Sequence, residues 1–322
     1  MKAAAYTRTG GPEVLEYVDV PDPEVRPGGL LIEVKAVGIQ GGDLLHRAGG
    51  VMATNPHVVG YQAAGVVKEI GAGVEGFAVG QPVVATMGYG SHAELVSVPA
   101  GSAFVIPDGL SIEEAAGVPI EFGTADDCLF EFGHLHGDET VLVQAAAGGV
   151  GLAAVQLAKA AGASLVLATA SSDDRLDRLR EYGMDHGINY ASQDVPKRVR
   201  ELTEGRGVDL VVDPVGGTTL EGSIAALAYR GRISWVGRAG REERPPEVWP
   251  LMEKNASLTG VFLGAEMGHS HRVRGMIERL LQRVAAGELR VVIDRVFPLA
   301  DAAEAHRYIE SRRAFGRVLL AP

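Results

Sequence analysis

The sequence predicts an α/β protein of two domains, one rich in β-strands and the other built around a parallel sheet. A length of 322 residues fits about two domains. Up to about Ile120 the apolar segments are short and separated by Gly and Pro, which is typical of an all-β region. From Gly137 onward strand-like runs alternate with helical stretches, and this alternation indicates βαβ units in a parallel sheet.

Five short segments carry the strand prediction for the first region. They read LEYVDV, LLIEVKAVGI, AAGVVKEI, QPVVATMG and AELVSVP. Glycine and proline lie between them at the spacing of strands and turns, so we expect a β-rich domain.

The second region contains the strand-like runs TVLVQAAA, SLVLATA, GVDLVVDPV and GRISWVG. Between them lie helical stretches such as DDRLDRLREYG and LEGSIAALAYR. A later segment, SLTGVFL, is expected to be an edge strand that ends this domain. The remainder, RVRGMIERLLQRVAAGEL and RVFPLADAAEAHRYIE, is predicted as amphipathic helix with a strand between, packed on the first domain.

Composition excludes several classes of protein. With 46% hydrophobic and 22% charged residues, the chain can bury a large core and is not disordered. A net charge of −11 argues against a nucleic-acid partner. The single cysteine, Cys128, excludes an intramolecular disulfide and a multi-thiolate zinc site. We find no signal-peptide core and no membrane segment, and we expect a cytoplasmic location.

A glycine-rich turn lies between the first predicted strand and the first predicted helix of the second region. It reads AAGGVG over residues 146–151, with Ala146 where the first glycine of a dinucleotide-binding turn usually stands. Such a turn brings backbone close to a pyrophosphate and faces it with the N–H groups of a helix N-terminus. The alternative is that the glycines serve only tight packing. The strand–turn–helix–strand context favours a dinucleotide.

The end of the next strand favours NADP(H) over NAD(H). An NAD-binding protein carries Asp or Glu about twenty residues beyond the turn, to bind the ribose 2′-hydroxyl. That place falls near Ala170, where no carboxylate ends the strand, and Ser171, Ser172 and Arg175 follow. These side chains are suited to a 2′-phosphate. Either serine also suits a helix N-cap, with acids at 173–174 in the first turn.

These landmarks are part of a resemblance that spans nearly the whole chain. GGPEVLEYVDVPDP, AAAGGVGLAAVQLAKAAGA, INYASQD, GVDLVVDPVGG, GRISWVG, FPLADAAEAH and ESRRAFGRVLL are together specific. The sequence resembles the quinone oxidoreductase (zeta-crystallin-like) group of medium-chain dehydrogenases/reductases. The resemblance implies a GroES-like domain at 1–121 and 265–322, and a Rossmann domain at 122–264. It also implies NADPH, and a homodimer that pairs through the edge strand near Ser257–Leu263.

The resemblance also implies the cofactor contacts. The pyrophosphate would lie against Ala147, Gly148, Gly149, Val150 and Gly151. Ser171, Arg175 and Tyr190 would lie near the adenosine phosphate. Thr124, Gly237 and the backbone around Phe262 and Leu263 would approach the nicotinamide ribose or ring. Arg317, a further candidate for the 2′-phosphate, stands where relatives usually have a lysine.

Zinc members of the superfamily hold their catalytic metal at three places that here read Gln40, Tyr61 and Ile120. None of these supplies a thiolate, imidazole or carboxylate, so we expect no metal. The nine histidines do not restore such a site, since we expect most of them to be surface or capping groups. Gly42 stands where an alcohol-binding relative has a hydroxyl, and Gly41 and Gly42 are expected to widen the substrate cleft.

Without a metal, the predicted reaction is hydride transfer from NADPH to a quinone or an α,β-unsaturated carbonyl, which accepts the electrons itself. Tyr61 could donate a hydrogen bond or proton to the developing oxyanion, or it could be only an amphipathic wall residue. Gln40 is the second candidate, with a longer amide than the usual asparagine. Asp43 is expected to be structural.

Two further hypotheses remain open from the sequence. One is an enoyl-thioester or 2-alkenal reductase, because the acceptor depends on the shape of the cleft. The other is a non-catalytic NADPH-binding protein with a redox-sensing or structural role, which the QGG loop after Ile39 and the leucine at position 45 keep possible.

Overall fold

The computed structural model describes residues 1–269 and 271–322. These residues form two compact units, one made of Met1–Ile120 with Gly275–Pro322 and the other of Glu121–Arg274. The sequence analysis placed the second boundary earlier, between 264 and 265. Residues up to Arg274 belong to the second unit because Arg272 bonds Asp127 at 2.7 Å and Glu266 at 3.0 Å, both in that unit.

The strands and helices are numbered along the chain. The strands are β1 Lys2–Tyr6, β2 Glu16–Asp19, β3 Gly29–Gly38, β4 His57–Val58, β5 Gln62–Ile70, β6 Pro82–Thr86, β7 Leu95–Pro99, β8 Ala103–Val105, β9 Thr140–Val143, β10 Leu165–Ala170, β11 His186–Asn189, β12 Val208–Asp213, β13 Leu227–Trp235, β14 Ser257–Gly260, β15 Ile293–Pro298 and β16 Arg317–Ala321. The helices are α1 Gly41–Gly49, α2 Ile112–Ala115, α3 Pro119–Asp126, α4 Gly149–Ala160, α5 Asp173–Leu179, α6 Val195–Leu202, α7 Gly217–Ala226, α8 Leu263–His269, α9 Arg272–Ala285 and α10 Ala302–Glu310, with a π-helical segment at Asp127–Glu131.

The first unit is built on two β-sheets, a small one in the order β2-β1-β4 and a larger one in the order β15-β16-β3-β5-β6-β8. Strand β7 also pairs with β3, and every pair except β15–β16 is antiparallel. Alternate residues of β3, namely Leu30, Ile32 and Val34, belong to the buried core, as the two-residue period of a strand requires.

A helix that the sequence analysis did not predict interrupts this β-rich unit. The segment GGDLLHRAG forms α1 even though it begins with two glycines. The carboxylate of Asp43 accepts the backbone N–H of Gln40 at 2.8 Å, which satisfies a group just before the helix. Leu44 and Arg47 are buried, so the tertiary packing of one face outweighs the poor helix propensity of glycine.

The second unit contains a parallel sheet in the order β11-β10-β9-β12-β13-β14. Counted from β9, this is the strand order 3-2-1-4-5-6 of a doubly wound Rossmann sheet. All four residues of β9 are buried, as expected for a strand covered on both faces. β14 lies at one edge, where the sequence analysis placed an edge strand.

One predicted helix is shorter than expected. Within LEGSIAALAYR the helix α7 ends at Ala226, and Leu227 begins β13. Leu227 pairs with Val208 of β12, so the parallel ladder decides the conformation of residues whose own propensity is helical.

Across residues 1–269 and 271–322, we find no helix with the length and apolar character needed to span a bilayer.

Candidate active site

The glycine-rich turn connects β9 to α4 at the carboxyl edge of the parallel sheet. Gly148 is the N-cap of α4, is exposed, and has no side chain to cover the helix end. The N–H of Leu152 makes the helical bond to the Gly148 carbonyl at 2.8 Å. The N–H groups of residues 149–151 precede that bond and have no intrahelical acceptor. Such a helix end is suited to bind an anion.

Gly148 and Gly151 are glycine for different physical reasons. A Cβ on Gly151 would lie 2.6 Å from both the Ala145 carbonyl oxygen and the Ala146 Cα, so α4 can pack this closely only without it. A Cβ on Gly148 would lie 3.4 Å from the same carbonyl oxygen, which is ordinary contact, and its φ of −88° is unstrained. Packing therefore explains Gly151, whereas no contact among the described residues requires glycine at 148.

A buried polar network supports this turn, and the sequence analysis missed it. The hydroxyl of Thr169 accepts the N–H of Ala145 at 3.1 Å and donates to Gln144 at 2.8 Å. The Gln144 amide donates to Ser223 at 3.1 Å, and Ser223 donates to Asp213 at 2.8 Å. Ala145 has a left-handed φ of 49°, which the hydrogen bond from its N–H helps to hold.

The network ties together the ends of three neighbouring strands, β10, β9 and β12. The other carboxylate oxygen of Asp213 accepts the N–H groups of Val215 and Gly216 at 2.8 and 2.9 Å. A sequence signal existed, since Gln144, Thr169 and Asp213 are polar residues near the carboxyl ends of mostly apolar strands. Polar groups at the carboxyl ends of adjacent parallel strands meet at one edge of the sheet.

The predicted adenosine-phosphate residues lie beyond β10 and β11. Ser171 follows Ala170, the last residue of β10, and the Tyr190 N–H bonds the Ala170 carbonyl at 3.1 Å. The Tyr190 side chain is 45% exposed, and Arg175 is half-buried on α5. Backbone pairing therefore brings Ser171 and Tyr190 next to each other at the same edge.

The alternative that a serine only caps α5 is not supported by its hydrogen bonds. Ser172 occupies the N-cap position, but its side chain makes no capping bond to the first turn. The carboxylate of Asp173 accepts the side-chain N–H of Asn189 at 2.9 Å. One of the two acids near the predicted phosphate site is thus engaged with a neighbouring strand end.

The predicted nicotinamide residues also belong to the second unit. Thr124 is buried on α3, Phe262 is 72% exposed, and Leu263 is buried at the start of α8. Gly237 follows β13, and a Cβ there would lie 2.7 Å from the Pro214 carbonyl oxygen, so the fold itself requires this glycine. Apart from Thr124, all predicted cofactor residues of this unit follow the carboxyl ends of its strands.

In the first unit, Gln40 and Arg317 lie at the end of β3. Gln40 is 4% exposed, and its amide Nε2 donates to the Gly38 carbonyl at 3.3 Å. Arg317 is buried, and its guanidinium donates to the Ile39 carbonyl. Both side chains therefore contact the backbone immediately before α1.

Tyr61 precedes β5, and its phenol contacts the first turn of α1. A Cβ on Gly42 would overlap the Tyr61 hydroxyl oxygen and would lie 3.0 Å from the Tyr61 Cζ. The expectation that Gly42 widens a cleft is therefore wrong, because the phenol fills that space. A Cβ on Gly41 would meet nothing within 4 Å, so the open space lies there.

Two family models match the chain. Residues 26–108 match the alcohol dehydrogenase GroES-like domain, and residues 149–282 match the zinc-binding dehydrogenase domain. The quinone oxidoreductase of Pseudomonas aeruginosa is 34% identical over all of this chain and 99% of that protein. The chain belongs to the medium-chain dehydrogenase/reductase superfamily, in its quinone oxidoreductase group.

Other members of this superfamily are comparably similar. A 2-haloacrylate reductase of a Burkholderia species is 33% identical over 99% of this chain and 98% of that protein. Among solved structures, Escherichia coli quinone oxidoreductase complexed with NADPH is 30% identical, with a TM-score of 0.94 over all of both chains. A protein described as an NAD-dependent alcohol dehydrogenase is 36% identical, with a TM-score of 0.90, again over all of both chains.

The name of the second family model includes zinc, but the residues present do not fit that metal. The start of β5 is tied to the α2–α3 region, since Gln62 accepts the Ile120 N–H at 2.7 Å and donates to the Ala116 carbonyl. Gln40, Tyr61 and Ile120 offer an amide, a phenol and an aliphatic chain, none of which is a usual zinc ligand. In the described part of the chain, no three His, Cys, Asp or Glu side chains cluster to hold a metal.

Three histidines are not at the surface. His57, His92 and His306 are fully buried in the first unit. The Nε2 atoms of His92 and His306 lie 3.1 Å apart, and Arg47 lies 3.4 Å from His306. Burial lowers the pKa of His92 from 6.5 to about 3, and burial, with the neighbouring His92 and Arg47, lowers the pKa of His306. The lowered pKa values favour the neutral form of His92 and His306 at neutral pH.

Proposed function

We propose that this chain binds NADP(H) at the carboxyl edge of its parallel sheet and uses it to reduce a quinone or an α,β-unsaturated carbonyl. The turn of Gly148–Gly151 carries the proposal. It follows β9, beside β12, at the point where the strand order reverses, and ligands of doubly wound sheets bind there. Gly148 leaves the turn open, and the helix N-terminus behind it offers N–H donors to a pyrophosphate.

The side chains beyond β10 favour NADP(H) over NAD(H). No carboxylate ends that strand, and the hydroxyl of Ser171, the guanidinium of Arg175 and the phenol of Tyr190 are suited to a 2′-phosphate. The NADPH complex of the Escherichia coli relative supports this choice. Because another relative is described as NAD-dependent, both cofactors belong in the test.

Bound NADPH would supply a hydride to a carbon atom of the acceptor, whose electron pair then shifts onto oxygen. The first unit would hydrogen-bond that oxygen, with Tyr61 as the donor we favour and Gln40 as the second. The Gln40 amide also donates to the Gly38 carbonyl. A proton from the phenol or from water completes the hydroquinone or the saturated carbonyl. No metal takes part in this scheme.

The remaining cofactor residues stay proposals of the same kind. Thr124, Gly237 and the backbone around Phe262 and Leu263 would contact the nicotinamide half. Arg317, whose guanidinium donates to the Ile39 carbonyl, stays a candidate for the 2′-phosphate.

The test is NADPH and NADH oxidation with a panel of acceptors, with and without a chelator. The panel contains 1,4-benzoquinone, 9,10-phenanthrenequinone, a 2-alkenal, crotonyl-CoA and a 2-haloacrylate, the last because of the Burkholderia relative. We expect NADPH-dependent, chelator-resistant turnover of a quinone or enone. Preference for crotonyl-CoA or the alkenal would favour the thioester or alkenal reductase. Tight NADPH binding without turnover of any acceptor would favour a non-catalytic binding protein, and loss of activity on chelation would contradict the metal-free scheme.

A further inference from the structure

The contact between Gly42 and Tyr61 joins two elements that are distant in the sequence. The phenolic oxygen lies where a side chain at position 42 would begin, closer than real Cβ atoms ever approach, and Cζ lies 3.0 Å from the same point. The Tyr61 hydroxyl and any side chain at position 42 therefore exclude each other.

The backbone at position 42 does not itself require glycine. Gly42 lies in the first turn of α1 and is not among the residues with a positive φ. Glycine is a poor helix former, so a residue with a Cβ would otherwise suit this position better. The neighbouring Gly41 has the same helical setting, but a Cβ there would meet nothing. The position of the Tyr61 phenol therefore explains why residue 42 is glycine, but it does not explain the glycine at 41.

Both elements are anchored against a shift that would relieve such a clash. Helix α1 is anchored by buried Leu44 and by Arg47, whose guanidinium bonds Glu310 at 2.6 Å and the Gly10 carbonyl at 3.2 Å. The backbone that carries Tyr61 is also held, since its carbonyl accepts the Met87 N–H at 3.0 Å.

The residue after Tyr61 adds a second anchor. Gln62 is fully buried, and its amide bonds both the Ala116 carbonyl and the Ile120 N–H. With both backbones fixed, an added methyl group at position 42 would have to displace the Tyr61 side chain itself.

We infer that Gly42 is a positioning residue for the Tyr61 phenol, and that the two residues act as a matched pair. The absent side chain at 42 lets the hydroxyl lie against the first turn of α1. This inference rests on the proposed function, in which that hydroxyl bonds the acceptor oxygen. A side chain at 42 should therefore impair reduction and leave cofactor binding intact, because the residues proposed for the pyrophosphate belong to the other unit.

The experiment is a double-mutant cycle of Gly42→Ala and Tyr61→Phe, with Gly49→Ala as the control. The control glycine lies in α1 with nothing within 4 Å of an added Cβ. We expect Gly42→Ala to lower kcat by roughly tenfold or more with NADPH affinity unchanged. The control should stay within about twofold. In the Tyr61→Phe background, which removes the clashing oxygen, Gly42→Ala should change kcat by no more than about twofold.

Thermal unfolding of the same variants tests the contact independently of turnover. Gly42→Ala should lower Tm, and Tyr61→Phe should restore most of that loss, including recovery of folding if the single variant does not fold. Coupling in Tm without coupling in kcat would overturn the positioning role in the reaction. Additive effects in both would overturn the inference entirely. If the unaltered protein turns over no acceptor, the proposed function fails, and the Tm cycle alone decides whether Gly42 fixes the phenol.

Discussion

Tyr61 is held in place by residues that are not its neighbours in the sequence. Its phenol lies against Gly42, and the next residue, Gln62, bonds two backbone groups near α3. This setting would hold the phenol in place for the hydrogen bond that we propose. Gln40, the other predicted donor, is turned toward the Gly38 carbonyl.

Replacement of Tyr61 by Phe should lower kcat by about ten- to a hundredfold, because the donor to the developing oxyanion is lost. NADPH affinity should be unchanged, since the substitution leaves the glycine-rich turn intact. Steady-state kinetics with the best acceptor and fluorescence titration with NADPH measure the two effects. Unchanged turnover would make Tyr61 a wall residue.

Arg175→Ala should weaken the binding of NADPH by roughly tenfold or more and the binding of NADH much less. The reason is that a guanidinium–phosphate bond is lost only for NADPH. Arg178→Ala, an exposed arginine of the same helix α5, is the control for a lost positive charge. Titration of each variant with both cofactors measures the difference. Equal weakening of NADPH and NADH would show that Arg175 does not contact the 2′-phosphate.

At the scale of elements, the turn between β9 and α4 combines rigidity with open space. The network from Thr169 to Asp213 fixes the ends of three strands, and Gly151 lets the helix pack on the turn. The exposed N-cap at Gly148 is then the place where a ligand can approach.

The two glycines should therefore respond differently to alanine. Gly151→Ala should reduce the free energy of unfolding by about 1–3 kcal/mol, because its Cβ would overlap backbone atoms 2.6 Å away. Gly148→Ala should leave stability nearly unchanged but weaken NADPH binding by roughly tenfold, since the added methyl group would face the pyrophosphate. Urea unfolding and NADPH titration check both. Equal loss of stability in the two variants would contradict this division of roles.

The edge strand β14 bears on the assembly of the whole molecule. It is hydrogen-bonded only to β13 in the described sheet. Large apolar side chains are exposed in the segments around it, with Trp249 at 67%, Met252 at 63% and Phe262 at 72%. Unpaired edges and exposed apolar groups are typical of interaction surfaces. The predicted homodimer would cover them.

We expect the protein to be a dimer that dissociates when Ser257 and Thr259 are both replaced by Lys, because like charges would meet across the two-fold axis. Ala160→Lys, at the exposed carboxyl end of α4, is the control for added charge. Sedimentation equilibrium measures the effect. A monomeric parent, or a dimer that survives both lysines, would contradict pairing through β14.

The buried histidines make stability depend on pH. The pKa of His92 is lowered from 6.5 to about 3, so below pH 6.5 the unfolded chain binds a proton that the folded chain does not. The stability contributed by the neutral ring is therefore complete above pH 6.5 and decreases as the pH falls. The slope is about 1.4 kcal/mol per pH unit for each such group. The lowered pKa of His306 acts in the same direction.

His92→Gln should make the free energy of unfolding less dependent on pH between 6.5 and 4.5, by about 1.4 kcal/mol per pH unit. The exposed His186→Gln is the control for replacing a histidine. Urea unfolding at several pH values measures the slopes. Identical slopes in His92→Gln and the unaltered protein would show that His92 is protonated in the folded state as well.

Much of the fold followed from local pattern. Short apolar segments between turns predicted most strands of the first unit, and alternating strands and helices predicted the parallel sheet of the second. Helix α1 escaped prediction because its two initial glycines oppose helix formation and the burial of Leu44 and Arg47, which helps to stabilise it, depends on tertiary packing. The ion pairs of Arg272 within the second unit cannot be seen in the sequence.

The sequence by itself determined the class of fold, the glycine-rich turn and the absence of zinc ligands at three positions, because each depends on residue type and spacing along the chain. The tertiary structure alone decided that close packing requires glycine at 151 but not at 148. It also decided that the Tyr61 phenol occupies the space beside Gly42, and that His92 and His306 contact each other in the core. Those facts depend on distances between residues far apart in the chain, and no local pattern encodes such distances.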